Sequence, residues 1–294
     1  MKIKLIFFTA IVIIGGCKEI PPFIDFEKNN TNLLDTTYIE TSVPAPVKTM
    51  VVIEDLTGVN CSNCPKAADK IKTIKTANPD KVISIGEYPW ALSNLTAPWA
   101  GFDTLNTKEA NDIFVNIFNN PTGIPTGGVN RKLFSGETTL WVSYFNWAGF
   151  ADQIKIEDSK CIISSQIISK DTISRKAIVK VKVLFTESYS KPVNLTIYLT
   201  ESNILSKQHM PDGTKKNDYI HNHVLRKSIT PYSGTMLKMD VIANMYEKGR
   251  VFEKEFEIKI ADKWNFKNCE VISFVNRFDN DSKEILQANE IKLE

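Results

Sequence analysis

The chain has 294 residues, of which 43% are hydrophobic and 24% charged, and its formal net charge is +2. A chain longer than one typical domain of about 100–200 residues is most simply explained by two domains. The near-neutral charge argues against a surface for nucleic acid, so we expect no nucleic-acid partner.

The N-terminus has the pattern of an export signal. Lys2 and Lys4 precede an uncharged apolar run at residues 5–14, and two glycines follow it. The run is too short for a membrane span, which takes about 20 residues. The pattern predicts a signal peptide over residues 1–16 and an exported protein, in a compartment where disulfides persist.

The signal ends in Ile14-Gly15-Gly16-Cys17, which resembles a bacterial lipobox. The resemblance implies cleavage before Cys17 and acylation of that cysteine. Stable anchoring takes more than one acyl chain, and bacterial lipoproteins carry three, so we expect firm attachment to a lipid bilayer through Cys17. The alternative is an ordinary cleaved signal followed by a chance cysteine.

Residues 17–46 are polar, rich in asparagine and threonine, and contain four prolines. No apolar period holds across them. This composition predicts a flexible tether that lifts the folded part of the chain off the membrane.

The motif that carries chemistry lies between a predicted strand at residues 47–55 and a predicted helix. Cys61-Ser62-Asn63-Cys64 occupies the turn, and Pro65 suits the first helical position, where its missing N–H is not needed. The apolar residues that follow at helical spacing are Ala67, Ala68, Ile71 and Ile74. In this context a C-x-x-C pair is typical of a redox site rather than of half a zinc site. The alternative is an inert disulfide that staples the turn.

The remainder of the first domain, residues 47–158, alternates strand and helix patterns, which predicts an α/β unit. The predicted elements are a parallel strand at 81–88, a helix at 109–118 and a closing helix at 139–156 with Phe145 facing inward. Residues 89–107 are irregular, and we expect them to form an insertion that packs against the dithiol.

The C-x-x-C pair, followed later by Gly123-Ile124-Pro125-Thr126, resembles a thioredoxin fold. The resemblance implies that Pro125 lies in a cis-proline loop beside the dithiol, free to pair with an extended substrate and excluding metal. Two features depart from that family. Asn60 stands where the family usually has tryptophan, and the gap between dithiol and proline is longer than in the minimal fold, which the insertion accounts for.

The same resemblance implies a role for each group near the dithiol. In the thioredoxin pattern the first cysteine, here Cys61, is exposed and attacks. Independently of the resemblance, the position of Cys61 just before a helix N-terminus is expected to lower its pKa, and the thiolate is the reactive form. Cys64 would resolve the mixed disulfide. Asp55, six residues before Cys61, would accept the proton of Cys64.

The second domain, residues 160–294, changes to a period of two, with buried valines alternating with lysines at 176–185 and a similar run at 193–199. Further strand candidates are residues 161–169, 221–229, 236–242, 251–260, 269–278 and 285–293. The pattern predicts an antiparallel β-sandwich of immunoglobulin-like type.

The other cysteines and the histidines lie in this second domain. Cys161 and Cys269 are compatible with a disulfide or with two buried free thiols, and we favour free thiols because further reactive cysteines would interfere with the redox pair. Their spacing does not suit zinc. His221 and His223 would share a strand face and so could bind a metal, but we favour packing at the domain junction. We expect no metal and no cofactor.

Nearly the whole chain is similar to the outer-membrane-protein-28-related lipoproteins of Gram-negative bacteria. The matching segments are the lipobox, the turn from Thr57 to Pro65, the loop from Pro125 to Arg131, and the β-rich half with residues 221–226. The resemblance implies a lipid-anchored protein of the outer membrane, facing either the periplasm or the exterior.

Two functions are compatible with this sequence. One is thiol–disulfide exchange with exported protein partners, carried out by Cys61 and Cys64. The other is a non-enzymatic binding or adhesion lipoprotein in which the Cys61–Cys64 disulfide is structural.

Overall fold

A computed structural model describes residues 33–240 and 243–294. The predicted signal peptide, Cys17 and the first part of the tether lie outside these residues. None of the helices in the described part of the chain has both the length and the apolar composition to cross a membrane.

Fourteen strands are found within the described residues. In chain order they are β1 (Asp35–Ile39), β2 (Val51–Leu56), β3 (Val82–Glu87), β4 (Thr126–Val129), β5 (Cys161–Asp171), β6 (Lys176–Phe185), β7 (Asn194–Glu201), β8 (Ile204–His209), β9 (Lys215–His221), β10 (Val224–Ser228), β11 (Thr235–Met236), β12 (Arg250–Lys259), β13 (Cys269–Asn276) and β14 (Ile285–Lys292).

The helices are short and lie mostly in the first half of the chain. They are α1 (Cys64–Ala77), α2 (Ser93–Thr96), α3 (Lys108–Asn116) and α4 (Trp147–Ile154), with 3₁₀ turns at Trp90–Leu92 and Phe266–Asn268. The structure is therefore mostly β, with mixed and antiparallel sheets.

The largest sheet has the strand order β14-β13-β7-β10-β3-β2-β4, and β11 pairs with β7. β2 and β3 are parallel and are connected through α1, whereas β4 runs antiparallel to β2. β10 joins β3 in parallel through a single residue pair, Val224 with Gly86. Strands from both predicted domains therefore share one sheet, which crosses the predicted boundary near residue 159.

β2 is buried along its whole length because helices cover both faces of the sheet around it. Its odd residues, Val51 and Ile53, pack with apolar residues of α1 and α4, such as Ile71. Its even residues, Val52 and Leu56, pack on the other face with α3. This two-sided burial explains why the strand is a nearly continuous apolar run, as parallel strands usually are.

The second half of the chain folds as two facing sheets. The strand order β1-β12-β6-β5 makes the second sheet, and its pairs are antiparallel. The buried residues of β6, Val179, Val181 and Val183, pack against residues such as Ile197 of β7 and Val271 of β13. The alternation predicted for β6 is confirmed, while β7 is buried on both faces because it lies between this core and the core under α3.

Three local expectations are corrected by the structure. Part of the expected tether is the strand Asp35–Ile39, which is ordered because it pairs with the edge of β12. The closing helix covers only Trp147–Ile154, since Val142 instead forms a β-bridge with Gly127, and Phe145 is 70% exposed. The candidate strand at residues 221–229 is divided, with His221 ending β9 and β10 starting at Val224.

Candidate functional site at the Cys61–Cys64 disulfide

The predicted dithiol lies between the end of β2 and the start of α1, as the sequence pattern predicts. Cys61 and Cys64 form a disulfide with a Cα–Cα distance of 5.4 Å. The turn is closed by the Cys64 amide, which donates to the Cys61 carbonyl at 3.3 Å, and Pro65 occupies the start of the helix. The residue at position 58, before the dithiol turn, must be glycine, because a Cβ there would collide with the Leu95 carbonyl.

Both sulfur-bearing side chains are buried. Cys61 is 4% exposed and Cys64 is 3% exposed. The expectation of an exposed Cys61 is therefore wrong for this conformation, and the physical reason is that other parts of the same chain cover the turn.

The hairpin of β8 and β9 provides most of this cover. The His209 amide donates to the Val59 carbonyl at 2.9 Å. The Gln208 Nε2 donates to the carbonyls of Gly58 at 3.2 Å and Cys61 at 2.9 Å. The hairpin is a separate two-stranded sheet, and no feature of its sequence predicted that it would lie over the dithiol.

The insertion at residues 89–107 packs against the same turn, as predicted. Asn60 is held by two bonds, from its backbone N–H to the Leu95 carbonyl at 2.8 Å and from its side-chain amide to the Ala97 carbonyl at 2.9 Å. Trp99 also donates from its indole to the Val59 carbonyl at 3.4 Å. The asparagine at the position where thioredoxins usually have tryptophan therefore anchors the insertion.

Pro125 lies beside the dithiol. The Ile124–Pro125 peptide bond is cis, and the Ile124 carbonyl oxygen lies 3.7 Å from Cys61 Sγ. β4 begins at the next residue, Thr126, and pairs with Leu56 at the end of β2, which brings the proline loop to the dithiol turn. When the disulfide is reduced, this carbonyl is placed to accept a hydrogen bond from the Cys61 thiol.

Asp55 is buried below the turn, 5% exposed, and its Oδ1 has no hydrogen-bond partner among the described residues. Burial raises the pKa of this carboxyl to about 8, because the ionised form would lose its hydration without gaining a compensating partner. Asp55 therefore carries a proton at neutral pH.

A cavity of about 590 Å³ lies on the other side of the disulfide, between α1, β3 and the hairpin. Asp55 and Cys64 are both among the residues that line it, whereas Cys61 is not. Of the two cysteines, it is thus Cys64 that belongs to the wall of the cavity, together with Asp55.

His221 and His223 have different partners. His221 Nδ1 lies 2.9 Å from the Tyr88 hydroxyl, and burial lowers the pKa of His221 to about 4. His223 lies between Lys75 and Glu270, at 3.1 and 3.2 Å. The shared strand face that a two-histidine metal site requires is absent, because β9 ends at His221. Both side chains pack at the junction of the two predicted domains.

His223, Glu270 and Glu290 form a cluster with possible ligand atoms within 4.8 Å of one another. Lys75 supplies a positive charge to the same cluster through its contact with His223. A lysine ammonium donating to Nε2 leaves the proton on Nδ1, which then donates to Glu270. A metal bound at Nδ1 would have to displace that proton.

The loop that matches the lipoprotein resemblance, Asn130-Arg131, is structural. Asn130 accepts from the Val52 amide at 2.8 Å through its side chain, and its backbone carbonyl accepts from the Ile285 amide at 2.8 Å. Arg131 is buried and pairs with Glu54, with 2.8 Å between Nε and Oε2. These bonds join β2 to β14, so the loop connects the two halves of the molecule.

Cys161 and Cys269 are free and buried. The preference for two free thiols is confirmed. Burial raises the pKa of each thiol to about 12, so neither is a reactive thiolate at neutral pH.

Comparison with known proteins gives a family and a fold. The model of the outer membrane protein Omp28 family matches residues 111–294. The structure of HBP35 of Porphyromonas gingivalis is similar with a TM-score of 0.64 and 18% identity, covering 85% of this chain and 76% of that one. Protein AGR_C_4864 from Agrobacterium tumefaciens is similar with a TM-score of 0.54 and 12% identity, covering 85% and 97%. At these identities the two structures show the fold alone, and no curated protein matches the sequence.

Proposed function

The chain belongs to the Omp28 family of outer membrane proteins, and on that premise we propose a lipid-anchored protein that exchanges thiols and disulfides with exported proteins. The reacting groups are Cys61 and Cys64. The part that carries them is a thioredoxin-like unit, and the facing sheets of the second half form an immunoglobulin-like sandwich.

The strand order around the dithiol supports the thioredoxin-like unit. β3, β2 and β4 are neighbours in that order, with β2 and β3 parallel across α1 and β4 antiparallel. The resemblance implies the same sequence of elements, a dithiol at the end of the first strand, and a proline loop before the antiparallel strand. The insertion between β3 and α3 lengthens the unit without changing this order.

The observation that carries the proposal is the short distance between Cys61 and Ile124, the residue before the cis-proline. The 3.7 Å distance between Cys61 Sγ and the Ile124 carbonyl places the sulfur next to backbone that precedes a proline, at the start of α1. The positive end of the α1 dipole favours a thiolate at this turn, whereas burial of Cys61 and the Ile124 carbonyl, which accepts from the protonated form, favour the neutral thiol. What supports the proposal is therefore the position of Cys61 beside the cis-proline loop, as the thioredoxin resemblance implies.

The chemistry can be written in two steps. A thiolate of the partner attacks one sulfur of the disulfide, forming a mixed disulfide and releasing the other sulfur as a thiolate. A second partner thiolate attacks the mixed disulfide, so the partner is oxidised and the dithiol reduced. Protonated Asp55 gives its proton to the Cys64 thiolate in this direction. In the reverse direction Asp55 accepts that proton.

Trapping tests the proposal. Cys64→Ser leaves Cys61 unable to be released from a mixed disulfide, so covalent complexes with exported proteins should accumulate in cells and disappear on reduction. Cys61→Ser and Cys161→Ser are the matched controls, since the first removes the attacking sulfur and the second removes a buried, unreactive thiol. An absence of complexes in Cys64→Ser, with the protein folded and exported, would contradict exchange.

A second function is favoured by the burial of both sulfurs. The hairpin and the insertion occupy three carbonyls and one amide of the turn, so a substrate reaches Cys61 only if the hairpin moves. A non-enzymatic binding lipoprotein with a structural disulfide needs no such movement. Resistance of the native disulfide to dithiothreitol, relieved only by unfolding, would support this second function.

Attachment to the membrane is a separate part of the proposal and depends on Cys17. Replacement of Cys17 by alanine should move the protein from the membrane fraction to the soluble envelope fraction. A variant that stays membrane-bound would contradict lipid anchoring.

A further inference from the structure

The cavity beside Cys64 runs along one edge of strand β9. Four consecutive residues of that strand line it, namely Asp218, Tyr219, Ile220 and His221. Successive side chains of a strand point to opposite faces of its sheet, so a cavity lined by four residues in a row follows the edge of the strand rather than one face. β8 contributes Gln208 alone to the lining, so the edge in question is the outer edge of β9.

This outer edge is unpaired within the described part of the chain. β9 forms a two-stranded sheet with β8, and residues 216–220 make no backbone hydrogen bond outside that ladder among the described residues. All of them are exposed except Tyr219, which is partly buried. An unpaired edge presents a row of N–H and C=O groups and is a template for another extended chain.

Helix α1 forms the opposite wall, and we call the gap between α1 and β9 the groove. Residues of α1 from Ala68 to Lys75 line it, and they span about 10 Å along the helix. Residues 216–221 span about 16 Å of β9. Between three and five residues of an extended chain cover these lengths, at about 3.3 Å each. The cavity volume of about 590 Å³ is also within the usual range for a binding site, roughly 300–1,000 Å³.

The two elements that border the groove are positively charged. Residues 64–77 and 204–221 together contain seven lysines, three aspartates and no arginine or glutamate, which gives a local charge of +4. The whole chain carries +2, so the remainder of the sequence is net negative. Lys72 and Lys216 are exposed and lie on opposite walls of the groove. The groove therefore favours a negatively charged occupant.

We propose that an extended acidic segment of an exported protein adds to β9 as a third strand in this groove. Its backbone pairs with the outer edge of β9, its acidic side chains approach Lys72 and Lys216, and its apolar side chains lie against Ala68 and Tyr219. Addition of a peptide strand to an exposed sheet edge is a recurring mode of recognition. An anionic lipid surface would also attract the lysines, but it has no backbone groups to pair with the edge.

This inference names the part of a partner that a thiol-exchange protein would hold, and in that role it rests on the proposed function. Cys64 and Pro65, at the start of α1, also line the cavity, so a segment bound in the groove lies next to the dithiol turn. The binding itself requires no reaction and takes place with the disulfide intact. It can be measured with a peptide that contains no cysteine, so its failure is distinguishable from failure of the trapping test.

Fluorescence anisotropy of labelled peptides, titrated with the oxidised full chain in a non-ionic detergent, tests the binding at pH 7. The probe is a short peptide of alternating glutamate and valine, and the control is the same peptide with lysine in place of glutamate. We expect saturable binding of the acidic peptide and binding of the basic peptide that is weaker by about tenfold or more, because like charges face one another in that complex.

N-methylation of the acidic peptide separates strand addition from attraction by charge alone. An added strand pairs through one edge, and the N–H groups of alternate residues point to that edge. Two peptides, one methylated at the odd and one at the even residues, should therefore differ, with one set abolishing binding and the other leaving it nearly unchanged. Equal binding by the two methylated peptides would overturn strand addition.

Two double variants locate the binding. Lys72→Ala/Lys216→Ala should weaken binding of the acidic peptide about fivefold, on the scale of two exposed ion pairs. Lys191→Ala/Lys259→Ala removes the same charge from exposed positions outside the groove, and it should bind as the wild type does. Lack of saturable binding by the acidic peptide, or equal binding by the two double variants, would overturn the site.

Vesicles of phosphatidylglycerol test the other source of negative charge. The peptide proposal predicts that they do not displace the bound acidic peptide. Binding of these vesicles that is lost in Lys72→Ala/Lys216→Ala, together with no binding of the peptide, would assign the surface to anionic lipid and overturn the proposal.

Discussion

The two sides of the Cys61–Cys64 disulfide differ in how their polar groups are satisfied. On the Cys61 side, the hairpin and the insertion supply donors to the carbonyls of the turn. On the Cys64 side, Asp55 Oδ1 and His221 Nε2 are buried and make no hydrogen bond to any described residue. The chain thus satisfies the polar groups of one side with its own amide groups and leaves buried polar atoms unpaired on the other.

The largest expected effect is on the pH dependence of stability, and it comes from Asp55 on the side with unpaired polar atoms. Burial raises the pKa of Asp55 to about 8 from its ordinary value of 3.8. Between these values the native state keeps a proton that the unfolded state has released, so stability falls by about 1.4 kcal/mol for each pH unit. Below this window both states are protonated, and above it both are ionised. Asp55→Asn removes the part of the slope that Asp55 contributes, while Glu87, whose pKa burial also raises well above its usual range, keeps its own part.

The measurement is the unfolding free energy of the oxidised wild type and Asp55→Asn between pH 6.5 and 8. His221 adds little to the pH dependence of stability in this window. Its pKa is lowered to about 4 in the folded protein, so it changes stability only below the pKa of an unfolded histidine, about 6.5. The stability of Asp55→Asn relative to the wild type should rise by about 2 kcal/mol across the window. A constant difference would mean that Asp55 is ionised at neutral pH.

The second largest effect is expected from Gln208, which bonds the hairpin of β8 and β9 to the dithiol turn. Gln208→Ala removes the amide that bonds the Gly58 and Cys61 carbonyls, and should lower the unfolding free energy by about 1–3 kcal/mol. It should also speed reduction of the native disulfide by dithiothreitol, because the hairpin is a separate sheet that can then separate from the turn. Leu205→Ala on the same strand, at an exposed position, should change neither quantity. Unchanged reduction in Gln208→Ala would show that the hairpin does not limit access.

The smallest effect is expected at the outer edge of this cover. The Lys207 ammonium lies 4.9 Å from the centre of the Trp99 ring, a cation–π contact between hairpin and insertion. Lys207→Met should lower the unfolding free energy by about 0.5–1 kcal/mol in denaturant titration. Lys259→Met, at an exposed position of β12, serves as the control. A decrease of more than about 2 kcal/mol in the unfolding free energy would contradict a cation–π contact as the only role of Lys207.

The sequence predicted the elements whose residues are close to one another along the chain. α1 follows from Pro65 and the spacing of Ile71 and Ile74, and the dithiol turn follows from its position between that helix and an apolar strand. The alternation of β6 was equally clear, because a single buried face imposes it. These features depend on local periodicity, which one sequence carries.

The cover and the cavity depend on partners far apart in sequence and were not predictable in this way. Gln208 meets Cys61 across 147 positions, and β8 has buried polar residues at Ser206 and Gln208 where a strand pattern requires apolar ones. The strand Asp35–Ile39 is likewise stabilised by pairing with β12 rather than by an apolar face of its own. Exposure of Cys61 was mispredicted because the thioredoxin resemblance contains no counterpart of the hairpin.

The reduction potential of the Cys61–Cys64 pair tests thiol exchange most directly. It can be obtained by equilibrating the full chain with dithiothreitol buffers and counting free thiols after denaturation, with Cys161→Ser/Cys269→Ser to remove the background. Exchange predicts a potential near or above about −270 mV, the value of thioredoxin. A potential below about −300 mV, typical of structural disulfides in secreted proteins, would contradict exchange and favour the binding lipoprotein.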